Sequence, residues 1–93
     1  MEKVIGQLRE EILRHWVLVS DKTKLVREAK KDREEVLNIL AVDKDLSEED
    51  LLKKQGLVLE YSRKICDLME STQTQKTLID LKKELIIKLE AKR

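Results

Sequence analysis

Ser71-Thr72-Gln73-Thr74-Gln75 (STQTQ) is the stretch that decides how many helices this chain folds into. It is polar, two of its residues are β-branched, and it separates two strongly amphipathic runs. Read as a turn, it divides the second half of the chain and predicts three helices overall. The other candidate turn lies upstream, in AVDKDLSEED, residues 41–50. There Asp43, Asp45 and Ser47 favour turns. Ser47 and Asp50 have the spacing of a capping box, with Asp in place of the preferred Glu. Glu48, Glu49 and Asp50 then set negative charge at the positive end of a helix dipole. The upstream signal is the stronger one, because STQTQ contains neither Gly nor Pro.

Around these turns the composition is that of long helices. The 93 residues include no proline and two glycines. Interior proline and glycine cost a helix about 3 and 1 kcal/mol relative to alanine. Charged residues make up 42% of the chain and the 41% hydrophobic fraction is almost entirely aliphatic, the balance of amphipathic helices rather than of disorder. From about Glu2 to Ala41, apolar residues recur in steps of three and four: Ile5, Leu8, Ile12, Val19, Val26, Ala29, Val36 and Leu40. His15, Lys22 and Arg33 occupy positions of the same seven-residue repeat. Leu13, Trp16 and Val17 widen the face near the N-terminal end. Ser20-Asp21 could start a new helix, but the repeat stays in phase across them, so one continuous helix is expected.

The second helix is expected over 48–71, with Leu51, Leu52, Val58, Leu59, Ile65, Cys66, Leu68 and Met69 as its apolar face and Gln55 and Ser62 among them. Gly56 lies inside it, through either close packing or plain exposure. A third helix is expected over 75–91, facing inward through Leu78, Leu81, Leu85 and Leu89, widened by Ile79, Ile86 and Ile87. Short connections between three helices imply an all-α, antiparallel up-down-up three-helix bundle with spectrin-like left-handed coiled-coil packing, a single domain over residues 1–93. The first helix is the longest in this scheme, so part of it would extend past the third.

The same sequence argues against several functions. The net charge is +1 and the basic residues lie among acidic ones, so no basic stripe marks a nucleic-acid partner. No apolar run has the length of a membrane span, and the first residues lack an apolar signal core, so a cytoplasmic protein is expected. Cys66 is the one cysteine; it is read as a core residue in a reducing compartment, because a nucleophile needs a base beside it. His15 has no companions at metal-ligand spacing and is read as a packed or edge histidine. No paired-acid, triad or phosphate-loop pattern is present, so no catalytic, cofactor or metal site is assigned and no enzyme is expected.

The most specific string opens the second helix: Asp50, Leu51, Leu52, Lys53-Lys54-Gln55, then Val58-Leu59 and Ser62-Arg63. With the upstream Glu28-Ala29-Lys30, it resembles the tubulin-binding cofactor A family over roughly residues 28–68. It departs from that pattern by one extra residue between Asp50 and Lys53, by the absence of a proline in the second helix, and by a short connection to the third. The resemblance implies a cytoskeleton-associated three-helix bundle that holds β-tubulin after its release from the cytosolic chaperonin, as monomer or homodimer, without catalysis. It also implies Glu28, Lys30, Lys53, Lys54, Gln55 and Arg63 as protein-binding residues. Two other readings fit the helices: a subunit of a coiled-coil assembly of the kinetochore or tethering kind, and a small helical export chaperone.

Overall fold

The computed structural model describes residues 1–92 and contains two helices, not three. Helix α1 spans Glu2–Val42 and helix α2 spans Glu48–Ala91. They fold back on one another as an antiparallel hairpin, a rod 71 Å long and 14 Å across.

The connection over 43–47 forms as the sequence indicates. The Asp43 amide donates to the Ile39 carbonyl at 2.9 Å and closes the last turn of α1. The Asp43 carboxylate accepts from the Asp45 amide at 3.0 Å, a local turn that competes with helix. Ser47 then caps α2, its Oγ accepting from the Asp50 amide at 3.2 Å. Leu46, half-buried, and Leu51 occupy the two positions of a hydrophobic staple.

The expected second turn is continuous helix. Thr72, Thr74 and Thr77 each donate a hydroxyl to the carbonyl one turn back, at Leu68, Glu70 and Gln73, with distances of 2.8, 3.2 and 3.0 Å. Their side chains thus satisfy themselves within the helix, and no glycine or proline interrupts it. The seven-residue phase also runs unbroken through the segment. In α2 the inward positions are Lys54, Val58, Tyr61, Ile65, Leu68, Thr72, Gln75, Ile79, Lys82, Ile86 and Leu89, each half-buried or buried.

That single phase corrects the expected faces. Ile79 and Ile86 are core, whereas Leu81 and Leu85 lie about half exposed. Leu52, Leu59, Met69 and Cys66 are exposed rather than packed. A Cβ on Gly56 would meet nothing, so exposure and not close packing explains it. Helix α2 is the longer helix, 44 residues against 41, so α1 does not overhang a shorter partner.

In α1 the expected repeat is the observed seam. Ile5, Ile12, Val19 and Ala29 are buried, and Leu8, His15, Lys22, Val26, Arg33, Val36 and Leu40 are half-buried. Seam residues are labelled a and d of the repeat, with Ile5 and Val58 at a. The core is thickest near the chain ends, where Ile5, Ile12, Val19, Ile79 and Ile86 pack with Leu8 and Leu89 against them.

Ile79→Ala, at a side chain 1% exposed, should cost about 2–5 kcal/mol. Ile87→Ala, at a side chain 67% exposed, should change stability by less than about 0.5 kcal/mol. Thr74→Pro should cost about 3 kcal/mol if residue 74 is helical. Urea unfolding of the three variants checks all three values, and a silent Thr74→Pro would restore the three-helix scheme.

Candidate interaction surface

Because the helices are antiparallel, the e positions of both helices lie along one edge of the seam and the g positions along the other. The two edges differ in chemistry. On the e edge, Arg9 Nη2 meets Glu90 Oε1 at 2.7 Å, and Lys83 Nζ stands 5.6 Å from the centre of the Trp16 ring, a distance that permits a cation–π attraction. One heptad forward along α1 is therefore one heptad back along α2. Two further such steps bring Thr23 level with Lys76 and Lys30 level with Met69, and these four line one shallow groove with Val26, Thr72 and Gln73. The e edge thus carries Arg9, Lys30, Lys76 and Lys83 against the acid Glu90, with the exposed Trp16, Leu37 and Met69 between them.

The g edge is the more aliphatic one, its leucines interrupted by Glu11, Asp32, Asp50, Lys64 and Ser71. On α1 it contains Val4, Leu18, Leu25 and Ile39, and on α2 Leu57, Leu78 and Leu85. All are exposed except the half-buried Leu78; Leu18, Leu25 and Ile39 are each 42% exposed. Leu81 adds to it from the neighbouring row and shares a groove with Leu85, Glu84 and Lys88. In the register fixed by the e edge, Leu18 lies level with Leu78, Leu25 with Ser71, Asp32 with Lys64 and Ile39 with Leu57. Other exposed apolar side chains, among them Leu13, Val17, Leu52 and Ile87, are scattered over the outer surface.

This edge escaped the reading of the sequence, although a signal was present. Leu18, Leu25 and Ile39 each lie one residue before an a position, at multiples of seven. Leu57, Leu78 and Leu85 do the same in α2. Leu78 and Leu85, expected on the inner face of a third helix, belong instead to this edge.

Within the seam one layer is polar. Lys82 Nζ lies 3.0 Å from Glu11 Oε2 and 2.8 Å from His15 Nε2. An ammonium only donates, so Nε2 accepts and the ring proton resides on Nδ1, which donates to Gln75 Oε1 at 2.6 Å. Lys82 and Glu11 are both largely shielded, with side chains 22% and 30% exposed. The hydrogen bond from Lys82 holds the Glu11 carboxyl below its ordinary value, with help from the Lys82 charge and Gln7 and against the effect of desolvation. His15 is thus a packed histidine with two partners, as its place in the repeat suggests. Among the described residues no group of three or more His, Cys, Asp or Glu side chains is placed to hold a metal ion, and no helix is long and apolar enough to cross a membrane.

The residues implied by the family resemblance are spread around the rod. Glu28, Lys30, Lys53, Gln55 and Arg63 are exposed and Lys54 is half-buried at a seam position. Lys53 pairs with Glu49 one turn back at 3.6 Å. Gln55 lines a groove near the loop with Leu37, Leu40, Val58 and Leu59. Lys30 lines a different groove further along the same e edge, and Arg63 occupies an outward f position.

The polar layer makes two predictions. A depressed carboxyl value contributes stability that is present above the unfolded glutamate value, about 4.3, and is lost as pH falls through the folded one. Thermal unfolding of wild type should therefore decline more steeply than that of Glu11→Gln as the pH is lowered through that range. The double variant His15→Leu/Gln75→Leu should gain about 1 kcal/mol in urea unfolding, because apolar packing replaces a desolvated polar pair. Comparison of the chain with family models, with curated proteins and with solved structures finds no match in any of the three.

Proposed function

We propose that this chain is a non-catalytic helical interaction module: a two-helix subunit that completes its apolar g edge against further helices. One observation carries this reading. The exposed Leu18, Leu25, Ile39, Leu57 and Leu85 continue the seven-residue repeat along one edge of the rod, whereas the other edge carries Arg9, Lys30, Lys76, Lys83 and Glu90 among the apolar Trp16, Leu37 and Met69. A two-helix seam needs only a and d; an apolar g row on both helices matches the broader stripe of a helix that touches more than one neighbour. Affinity in such a surface comes from a few buried apolar anchors. Charged residues on the rim set encounter rate and selectivity. This is the coiled-coil-assembly reading of the sequence, narrowed to a particular edge.

The β-tubulin chaperone reading is supported by a different observation. Gln55, Val58 and Leu59, three residues of the string that carries the resemblance, line one apolar groove with Leu37 and Leu40. The two-helix architecture supplies less of that family's scaffold than the resemblance implies, so this reading stands second.

A photo-cross-linking side chain placed at Leu25 or at Lys76 in the full chain, in its native cell, tests the first proposal. Protein adducts should form from Leu25 on the g edge and be at least ten times scarcer from Lys76 on the e edge. Equal yields from both positions, or none from either, would overturn it. Recovery of β-tubulin without α-tubulin on the purified chain, abolished by Leu59→Glu, would instead place the chaperone reading first.

A further inference from the structure

Building on the interaction-module reading, we infer that the occupant of the g edge is a second copy of this chain. The two hairpins pack with both loops at the same end, and their four helices form an antiparallel bundle.

The pattern of apolar residues is the first ground. Apolar a, d and g positions on both helices give a stripe of the width found in bundle helices, whereas a and d alone suffice for a two-stranded seam. On the e edge, loops at opposite ends would set Lys30 beside Arg9 and Lys76 beside Lys83, cation against cation, and loops at the same end would offer one ion pair, Arg9 with Glu90, that each chain already makes within itself.

Charge then fixes the arrangement. Within the helices the ionised residues of the g row are Glu11 and Asp32 on α1 and Asp50 and Lys64 on α2. Asp50 lies at the loop end of the rod and Glu11 is held by Lys82 of its own chain, so Asp32 and Lys64 are the pair that can select a partner's register. A two-fold axis along the rod sets each α1 beside the other copy's α2 at the same level. Asp32 of one copy then meets Lys64 of the other, and the reciprocal contact forms as well. Leu18 meets Leu78 and Ile39 meets Leu57 in the same register. Loops at opposite ends would instead set α1 against α1, with Leu18 near Leu25 but Asp32 near Glu11, acid against acid.

Area provides a third, independent ground. A compact monomer of 11.0 kDa exposes about 5,600 Å² by the usual scaling of surface with mass. This hairpin exposes 7264 Å². The excess is larger than the roughly 800 Å² that each partner contributes to a standard stable interface. The net charge of +1 leaves little long-range repulsion to oppose association.

Sedimentation equilibrium of the purified full chain at micromolar concentration should give twice the 11.0 kDa chain mass. Leu18→Glu/Leu78→Glu should weaken the dimer by at least about 100-fold, as expected when buried interface anchors are lost. Circular dichroism on the same variant separates loss of association from loss of helix. Because that variant could unfold, a charge exchange provides a second test. Asp32→Lys alone should weaken the dimer about tenfold, and Asp32→Lys/Lys64→Asp should restore it, like charges across an interface being unfavourable. With loops at opposite ends, Asp32→Lys would strengthen the dimer, by removing an acid from an acidic contact. Spin labels at Lys44→Cys in a Cys66→Ser background report the arrangement directly. They should lie roughly 20–30 Å apart, since neighbouring helix axes are about 8–10 Å apart, and not near the 71 Å rod length. A monomer at these concentrations, or a dimer with distant labels, overturns the inference. A monomer whose Leu25 still cross-links to a different protein in cells leaves the interaction-module reading intact; a monomer with no such adduct removes both.

Discussion

Everything in this molecule follows from one constraint, the unbroken seven-residue phase of two helices held against each other. Ile5, Ile12 and Val19 on α1 meet Ile79 and Ile86 on α2 because each set recurs at the period that keeps one side of a helix turned toward its neighbour. Once that seam exists, the position of every other side chain is determined by its offset from it. The charged edge, the apolar edge and the half-buried Lys82 are consequences of the register rather than separate features. The seam itself is narrow. Among the described residues its buried members are all aliphatic, and none is aromatic. A hairpin with so thin a core has limited apolar area with which to offset the ordering of its backbone.

The first helix was legible in the sequence residue by residue. Its repeat from Ile5 to Leu40 is the observed seam, polar interruptions included, because a continuous helix leaves the phase no freedom. The loop was equally legible, since Asp43, Asp45 and Ser47 have side chains that bond to nearby backbone and so compete with helix. The second half of the chain was misread at one place. Ser71 to Gln75 has the composition of a turn, but threonine hydroxyls can return to the preceding turn of their own helix as easily as they can leave it. Dividing the chain there freed the phase of the last segment, and Leu78, Leu81 and Leu85 then offered a plausible inner face. Carrying the phase on from Val58, Ile65 and Leu68 selects Ile79, Ile86 and Leu89 instead. Local propensity gave way to long-range register, as it does when a seam of many layers opposes five polar residues.

The surface was less legible than the fold for a related reason. Leu18, Leu25 and Ile39 can be recognised as an edge only after the seam positions of both helices are known, since a leucine one residue before an a position looks like a wider core in a helix read alone. The string Lys53-Lys54-Gln55 shows the opposite effect. Contiguous in sequence, it is divided by the helix into an exposed ion-paired lysine, a seam lysine and a groove-lining glutamine. A surface recognised by linear order is therefore dispersed, and one recognised by period is assembled.

The threonines have a mechanical consequence. Thr23 on α1 donates its hydroxyl to the Val19 carbonyl at 2.7 Å, and Thr72, Thr74 and Thr77 make the equivalent bonds on the facing stretch of α2. Such bonds draw a carbonyl outward and slightly curve a helix. At the same level the seam contains the polar Lys22, Thr72 and Gln75, with Val26 beside Thr72 as its apolar member. The middle of the rod is thus the place where hydroxyl back-bonding on both helices coincides with a polar stretch of seam, and a gentle bend would cost least there.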